Sequence, residues 1–398
     1  MIIRTIKKLK NLKGKTALVR VDFNVPIKNG KVVDNFRIKK SLPTIEFLLK
    51  KGAKVILVSH LGRPKAKEKK FSLKPVAKEL EKTLSKKVHF ICHSELVSES
   101  KEWSKKILKQ VQDDSASISL LENIRFYKEE KKNTGTLAKN LSEIADLFVM
   151  DGFAVAHRAS ASVVGVAKYL PSYAGLLMEE EIKGLEKVIK KPKKPLVVIL
   201  GGIKTETKIP VIKNLLPKAN QVLIGGGIVN TYLWAKGFKV GESLIDKDFK
   251  KEILKICANK KVIIPIDLVV GDYQGKNYEV LKVSKDFKVT KGKAILSVGP
   301  ATVQLYAKYI KKAQTLILNG AIGYFEQPPY QHATYAISRL FANRSKGKAF
   351  GVTGGGETVE VLKHLEVIDE VDLVSTGGGS MLEFLAGKKL PGIEILRA

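Results

Sequence analysis

The chain has 398 residues, 71 of them Lys or Arg against 39 Asp or Glu, giving a net charge of +32. That length exceeds one ordinary core and suits two domains of roughly 100–200 residues, and no apolar run approaches the ~18 residues that a membrane-spanning helix requires. The charge admits a nucleic-acid or membrane-surface binder, or a basic protein with anionic small substrates. The lysines of "KKLKNLKGK", "KPKAKEKK" and "KKPKK" are scattered without interleaved aromatics and read as a solvated surface.

The N-terminal "MIIRTIKKLKNLKGK" interrupts its apolar residues with lysines too early for a signal-peptide core, and a cytoplasmic protein is expected. Cys92 and Cys257 stand in no metal-binding or redox spacing and read as two reduced thiols.

In chain order, β-rich runs alternate with segments of helical period: "KTALVRVDF", "KVILVSH", "ISLLEN", "LFVMDGF", then "PLVVILGG", "QVLIGGG", "TLILNG", "KAFGVTGGG" and "DLVSTGGG". This is the pattern of an α/β protein with parallel sheets covered by helices. Ligands bind beyond the carboxyl ends of such strands. In the first half those ends carry Asp22 and Asn24, His60 and Arg63, Arg125, and Arg158 a little beyond Asp151; in the second half they carry glycines. The boundary is placed near "YLPSYAGLLMEEEIKGLEKVIKKPKKP", with residues 1–174 as the first lobe and 175–384 as a connecting helix and second lobe. The polar stretch Ile91–Ser117 lacks a clear apolar face through its first half and reads as a surface loop and helix, or an insertion. "TGGGETVE" and "TGGGSMLE" are two similar strand-to-helix turns, too brief to make a repeat architecture.

Common signatures are missing. Leu9 stands where a Walker A motif ending at Gly14-Lys15-Thr16 needs its first glycine, and no HExxH, GxSxG or complete GxGxxG occurs. "LGGIKTETKI" places Lys204 and Lys208 four residues apart, where both could project from one face of a helix start, beside glycines that let backbone approach a polyphosphate. Arg37, Arg63, Arg125 and Arg158 are arginines in a chain whose other cations are mostly lysine, a choice suited to bidentate phosphate or carboxylate recognition. His60 and His157 could be structural hydrogen-bonding residues, Asp22 a buried cap, and Glu326 a solvated carboxylate or a ribose acceptor.

The runs "RVDFNVP", "RIKKSLPTIEFLL", "SHLGRPK", "LLENIRFYKEE", "FVMDGFAVAHRASAS", "LGGIKTETKI", "GGGETV" and "STGGGSMLEFLAGKKLPG" resemble phosphoglycerate kinase, in order and along essentially the whole chain. The resemblance implies two Rossmann-like lobes joined by a helical hinge, usually monomeric, with residues 385–398 returning to the first lobe. It implies reversible transfer of the acyl phosphate of 1,3-bisphosphoglycerate to MgADP, giving 3-phosphoglycerate and MgATP, with no membrane or specific nucleic-acid partner. Carried over by motif, Asp22, Phe23, Asn24, Arg37, His60, Leu61, Gly62, Arg63, Arg125 and Arg158 would bind the phosphoglycerate. Gly202, Lys204, Lys208, Gly226, Gly323, Glu326, Gly355, Gly356, Glu357 and Thr358 would hold the nucleotide, with Glu357 toward Mg²⁺. Arg37, Lys204, Lys208 and the helix starts at Gly355 and Gly378 would stabilise the transferring group as the lobes close.

Some positions depart from the family pattern. Leu318 and Ala321 replace a tryptophan and a proline, Thr207 an aspartate, and Glu357 the aspartate that follows the three glycines, while "DGFAVAHR" keeps His157 and Arg158. Ile91–Ser117 also runs differently and resembles an inserted peptide. The charge raises a nucleic-acid-binding reading, and the departures raise a nucleotide-binding protein without transfer; both stay open as alternatives at this point.

Overall fold

The computed structural model describes residues 1–92, 102–113, 117–134 and 136–398. It contains two compact units, Met1–Ile182 with Lys389–Ala398, and Lys183–Lys388.

The first unit is built on strands β1 (Thr16–Arg20), β2 (Lys54–Val58), β3 (His89–Ile91), β4 (Ile118–Leu121), β5 (Leu147–Met150) and β6 (Ser172–Ala174), with helix α1 (Phe36–Lys50) between β1 and β2. They form one sheet in the order β3-β4-β2-β1-β5-β6, with every pairing parallel. A parallel sheet is covered on both faces, so its strands are apolar without alternation. Val19, Val55, Leu57, Leu120 and Val149 are accordingly buried in one cluster with Ile38 and Ile45 of α1. Burying each such side chain contributes ~1.5–3 kcal/mol, offset by its share of chain entropy. The C-terminal residues belong to this unit: Gly392 N–H donates to Ala156 O at 2.8 Å and Arg4 N–H to Leu396 O at 2.8 Å.

The second unit repeats the plan with β7 (Leu196–Leu200), β8 (Gln221–Ile224) and β9 (Val262–Ile263). A smaller antiparallel sheet follows, of β10 (Asp267–Gly271), β11 (Tyr278–Lys282) and β12 (Ala294–Val298). Then come β13 (Thr315–Asn319), β14 (Phe350–Gly354) and β15 (Leu373–Ser375). The large sheet runs β9-β8-β7-β13-β14-β15, all parallel. In both large sheets the chain first moves outward on one side of the opening strand and then returns to its other side, between β1 and β5 and between β7 and β13. Adjacent loops diverge at such switch points and leave a crevice at the carboxyl edge.

In the segment Ile91–Ser117, residues 93–101 and 114–116 lie outside the described residues. Glu102–Asp113 is helix α2, and it has an apolar anchor: Trp103 is fully buried and donates to the Tyr127 hydroxyl at 2.8 Å. Among the described residues no helix is long and apolar enough to cross a membrane.

One buried carboxyl makes this fold sensitive to pH. Asp151, at the end of β5, accepts from Thr44 Oγ1 (2.9 Å), Leu177 N–H (3.1 Å) and Met178 N–H (3.4 Å) through Oδ1. Its Oδ2 is buried without a partner, and burial pushes its pKa up to about 7, against the bonds that favour ionisation. The folded state therefore keeps a proton that the unfolded chain releases near pH 4. This contribution is present in full below about pH 4 and is lost as pH rises through 7, ~4 kcal/mol at most. Asp151→Asn cannot ionise, so urea unfolding from pH 4.5 to 8 is expected to show its stability relative to the native protein rising by ~2–4 kcal/mol; a constant difference across that range would refute the assignment.

Candidate active site

In the first unit the site begins where β1 ends. Arg20 closes an otherwise apolar strand and is almost fully buried, with Nε donating to Ser162 Oγ at 2.8 Å and Nη1 to the carbonyls of Val21 and Val58. The next turn is pinned by Phe23, fully buried, whose N–H donates to Ser59 Oγ (2.8 Å) just beyond β2. Between them Asp22 is buried and pairs with Arg37 from the first turn of α1.

His60 stands against both charges, its Nδ1 3.7 Å from Asp22 Oδ1 and 3.3 Å from Arg20 Nη2. Burial, and then the surrounding Arg20, Arg125, Arg158 and Arg37, hold its pKa well below the usual imidazole value. The ring is therefore neutral. A guanidinium only donates, so Nδ1 accepts from Arg20 and the ring proton lies on Nε2. The contact with Asp22 is a carboxylate beside a neutral imidazole, not an ion pair.

A second group converges on Gly62. Its N–H donates to Asn24 Oδ1 at 2.8 Å and its carbonyl accepts from Arg125 Nη1. Its φ of +61° and a Cβ that would lie 2.3 Å from the Phe71 ring restrict the position to glycine. Asn123 fixes both neighbours, accepting from Arg125 N–H (3.1 Å) and donating to Leu61 O (2.8 Å). Burial and then the charges of Arg158 and Arg20 bring Arg125 down to about 10. Arg158 keeps a buried Nε with no hydrogen-bond partner. Arg63 is exposed and Leu61 buried.

Of the sequence candidates, the structure thus joins Asp22, Arg37 and His60 directly, links Asn24, Gly62 and Arg125 by hydrogen bonds, and sets Arg158 within electrostatic reach. Arg20 was missed by sequence reasoning. Its signal was a charged residue at the end of "TALVR", a strand otherwise buried on both faces. Glu130 was missed as well: it is buried and accepts from Ser160 Oγ, Ser162 N–H and Ser162 Oγ at 2.7, 2.9 and 2.7 Å, and its charge supports Arg20 against desolvation.

In the second unit, glycines let neighbouring loops touch at the switch point. Gly201 N–H donates to Asn319 O (3.0 Å), Gly202 N–H to Ala321 O (2.6 Å), Gly226 N–H to Ile322 O (3.1 Å) and Gly227 N–H to Gly202 O (3.0 Å). A Cβ on Gly201 would lie 2.1 Å from Ala321 O, and one on Gly226 2.7 Å from Gly202 O. These glycines serve backbone-on-backbone packing, whereas a Cβ on Gly356 or Gly378 would enter open space.

Helices α3 (Thr205–Leu215), α4 (Gly227–Ala235), α5 (Gly356–His364) and α6 (Gly379–Leu385) start at this edge. Their first amide N–H groups and their dipoles point toward the space beyond the strands. Lys204 caps α3 with an extended backbone and is exposed, whereas Lys208 lies inside the helix and is buried. The two lysines therefore do not share an exposed helical face. Lys208 Nζ donates to Asn319 Oδ1, Asn319 Nδ2 donates to Gly354 O, and Thr358 Oγ1 accepts from Gly320 N–H at 2.8 Å. Burial lowers Lys208 to about 8, with the Glu357 carboxylate opposing the shift.

Beside this edge lies a cavity of about 300 Å³. Gly202, Gly226, Gly323, Glu326 and Glu357 line it with apolar Leu244, Leu296 and Phe325 and the rings of Tyr273 and Tyr324. Lys204, Lys208, Gly355, Gly356 and Thr358 do not line it. Ala321 is on the wall, while Leu318 is buried in β13 away from it. Among the described residues no group of three His, Cys, Asp or Glu side chains could hold a metal ion.

A parallel α/β sheet with an arginine basin at its carboxyl edge, and a second with glycine turns, helix starts and a buried lysine, define a phosphate-handling α/β protein. The comparisons with known proteins are more specific. A model of the phosphoglycerate kinase family matches residues 6–388. The phosphoglycerate kinase of Francisella tularensis subsp. tularensis is 43% identical over 395 residues, covering 97% of this chain and 96% of its own. That of Borrelia garinii subsp. bavariensis is 42% identical over 405 residues, with 100% of both covered. The solved structure of phosphoglycerate kinase from Coxiella burnetii matches with a TM-score of 0.84 at 38% identity over 99% of each chain. The one from Pyrococcus horikoshii gives 0.83 at 30%, over 99% of this chain and 98% of its own. The chain belongs to the phosphoglycerate kinase family, whose reaction is phosphoryl transfer with a carboxyl group as acceptor.

Asn319 joins two elements of this edge, which makes it testable without any ligand. Asn319→Leu leaves the Lys208 ammonium and the Gly354 carbonyl buried without that partner, and is expected to lower stability by ~2–4 kcal/mol. Lys208→Met in the same chain should restore ~1 kcal/mol or more of that loss. Urea unfolding of both single variants and the double variant reads the coupling; strictly additive losses would show that the two side chains act independently.

Proposed function

We propose that this chain catalyses reversible transfer of the acyl phosphate of 1,3-bisphosphoglycerate to ADP, with the phosphoglycerate held in the arginine basin of the first unit and the nucleotide in the cavity and helix starts of the second. The observation that carries the assignment is the basin: cations collected around one buried carboxylate and one neutral histidine. Arg37 and Arg125 present guanidinium forks, the Arg158 Nε is buried without a protein acceptor, and Asn24 and Gly62 supply a positioned loop. A ligand with a carboxylate at one end and a phosphate at the other suits such a set.

The attacking atom is an oxygen of the ADP β-phosphate, already anionic, so the reaction needs no general base. A phosphorus–oxygen bond forms as the bond to the acyl oxygen breaks, and the departing electron pair leaves as the carboxylate of 3-phosphoglycerate. What this chain's residues have to supply is stabilisation of like charges brought together. Arg37, Lys204, Lys208 and the amides opening α5 and α6 serve that role, and water has to be kept from intercepting the phosphoryl group.

The cavity wall fits a magnesium–nucleotide complex in one respect. It offers two carboxylates, Glu326 and, in the first turn of α5, Glu357, and Mg²⁺ is commonly held through one or two carboxylates together with phosphates and water. Bound there, the ion would neutralise charge on the nucleotide phosphates. Glu326, on the same wall, would accept from a ribose hydroxyl. We further infer a monomeric cytoplasmic enzyme that needs no specific nucleic acid, in which the surface lysines serve solubility.

A coupled assay with 3-phosphoglycerate and MgATP should show turnover, and Arg37→Ala should lower kcat/KM by about a hundredfold or more; absence of turnover in the native protein despite nucleotide binding would refute the proposal. Glu357→Asp is expected to change the ratio of Mg²⁺- to Mn²⁺-supported rates, because a shorter carboxylate repositions the ion; an unaltered ratio would remove Glu357 from the metal. Lys208 gives a pH-dependent signature. Free, it is half-protonated near pH 8, and an incoming phosphate favours the ammonium. ADP binding near pH 8 should therefore take up about half a proton, measured by calorimetry in buffers of different ionisation enthalpy. Lys208→Arg should abolish that uptake, and equal uptake in both proteins would exclude contact with phosphate.

A further inference from the structure

Glu130 is a buried carboxylate on the short helix Lys128–Lys132, outside the set of side chains that face the arginine basin directly. Its Oε1 accepts from Ser160 Oγ and Ser162 Oγ, each at 2.7 Å, and its Oε2 from Ser162 N–H at 2.9 Å. All three donors belong to one stretch of chain that begins two residues after Arg158 and enters a single turn of π-helix, Ala161–Gly165. Such turns are rare and concentrate at functional sites. Sterics hold the turn in the same place: a Cβ on Gly165 would lie 2.3 Å from Oδ1 of Asn133, the residue that ends the Glu130 helix.

The bonds that continue from Ser162 have a fixed direction. Arg20 Nε donates to Ser162 Oγ at 2.8 Å, and a guanidinium only donates. The single serine proton is therefore directed to Glu130. At its other end the same guanidinium meets His60 Nδ1, 3.3 Å from Arg20 Nη2, and Asp22 Oδ1 stands 3.7 Å from that nitrogen. Arg20 and Asp22 compete for it with opposite results. A donor at Nδ1 puts the ring proton on Nε2, whereas a carboxylate at Nδ1 would draw the proton to itself. Among the described residues Nε2 has no hydrogen-bond partner.

We propose that Glu130 is a positioning residue for the anion in the basin. Through Ser162 and Arg20 it holds His60 in the tautomer whose Nε2 proton is left for a ligand oxygen, and through both serines it anchors the chain that carries Arg158. The proposal rests on the reading of the basin as the 3-phosphoglycerate site. Glutamine at 130 has nearly the same shape but one acceptor oxygen and an amide that donates, so it cannot meet three donors. The Ser162 hydroxyl then loses its direction, Arg20 loses a facing charge, and Asp22 takes the His60 Nδ1 proton. An anionic oxygen would meet a lone pair at Nε2 in place of a proton. One hydrogen bond lost to a charged group is worth about tenfold in affinity or more.

The test reads the His60 tautomer in long-range proton–nitrogen NMR spectra of the ligand-free protein, with its signal identified by its absence in His60→Gln, and 3-phosphoglycerate affinity by calorimetry. Native protein and Glu130→Asp, which keeps an acceptor-only carboxylate, should show the Nε2–H form. Glu130→Gln should gain the Nδ1–H form and bind 3-phosphoglycerate about tenfold more weakly. Ser162→Ala, which keeps the Ser160 hydroxyl and the backbone N–H at 162 as donors to Glu130, should shift both readouts the same way and carries the test if Glu130→Gln does not fold. Variants that are destabilised yet leave tautomer and affinity unaltered would make Glu130 a structural residue and overturn the inference while the function stands. Native protein that binds no 3-phosphoglycerate would overturn both.

Discussion

Guanidinium groups of one sign share the carboxyl edge of the first sheet, and their mutual repulsion is the constraint around which that unit is arranged. Arg20 is tolerated because Ser162 and two backbone carbonyls accept hydrogen bonds from it and Glu130 and Asp22 face its charge. Arg37 is paired to Asp22. Arg125 and Arg158 have weaker protein compensation, one depressed to about 10 and the other with a buried N–H group unmet. The imbalance adds to burial at His60, which stays neutral beside a carboxylate because desolvation first, and then the surrounding cations, disfavour its charged form. Cations that the protein itself does not neutralise are what an anionic ligand would complete, so on the proposed reading the free basin is less stable than the occupied one.

The second unit meets the same kind of charge with backbone. Its helices begin at one edge because a parallel sheet with covering helices points every helix start the same way, and the amides there are a fixed positive potential that needs no counterion. The single buried side-chain cation, Lys208, is depressed toward neutrality and held by Asn319, which also fixes the carbonyl preceding the helix start at Gly355. On the proposed reading, side chains of the first unit would discriminate among small acids by geometry, while the amide N–H groups of the second would donate to phosphate oxygens.

Much of this was legible in the residues. Uninterrupted apolar runs marked strands buried on both faces, and the unusual residues after them marked the carboxyl edges. That is why Asp22, His60, Arg125 and the glycine turns could be located before any coordinates. The roles within those places were less legible. Gly201 and Gly226 read as bare backbone for a ligand, yet backbone packing requires them; sequence does not say which loops will touch. Lys204 and Lys208 read as a pair, yet the helix begins between them, and a cap position turns one lysine outward. Arg20 and Glu130 escaped because their partner, the serine-rich loop at Ser160–Ser162, is distant in sequence.

The claim that the basin stores repulsion for its ligand is tested most directly at Arg158, through urea unfolding of native protein and Arg158→Met without ligand at fixed ionic strength, alongside the affinity of each for 3-phosphoglycerate. Removing a guanidinium whose Nε has no protein partner is expected to raise the stability of the free protein by ~1 kcal/mol while weakening 3-phosphoglycerate binding about tenfold or more. A variant less stable than the native protein, or one that binds 3-phosphoglycerate equally well, would contradict it.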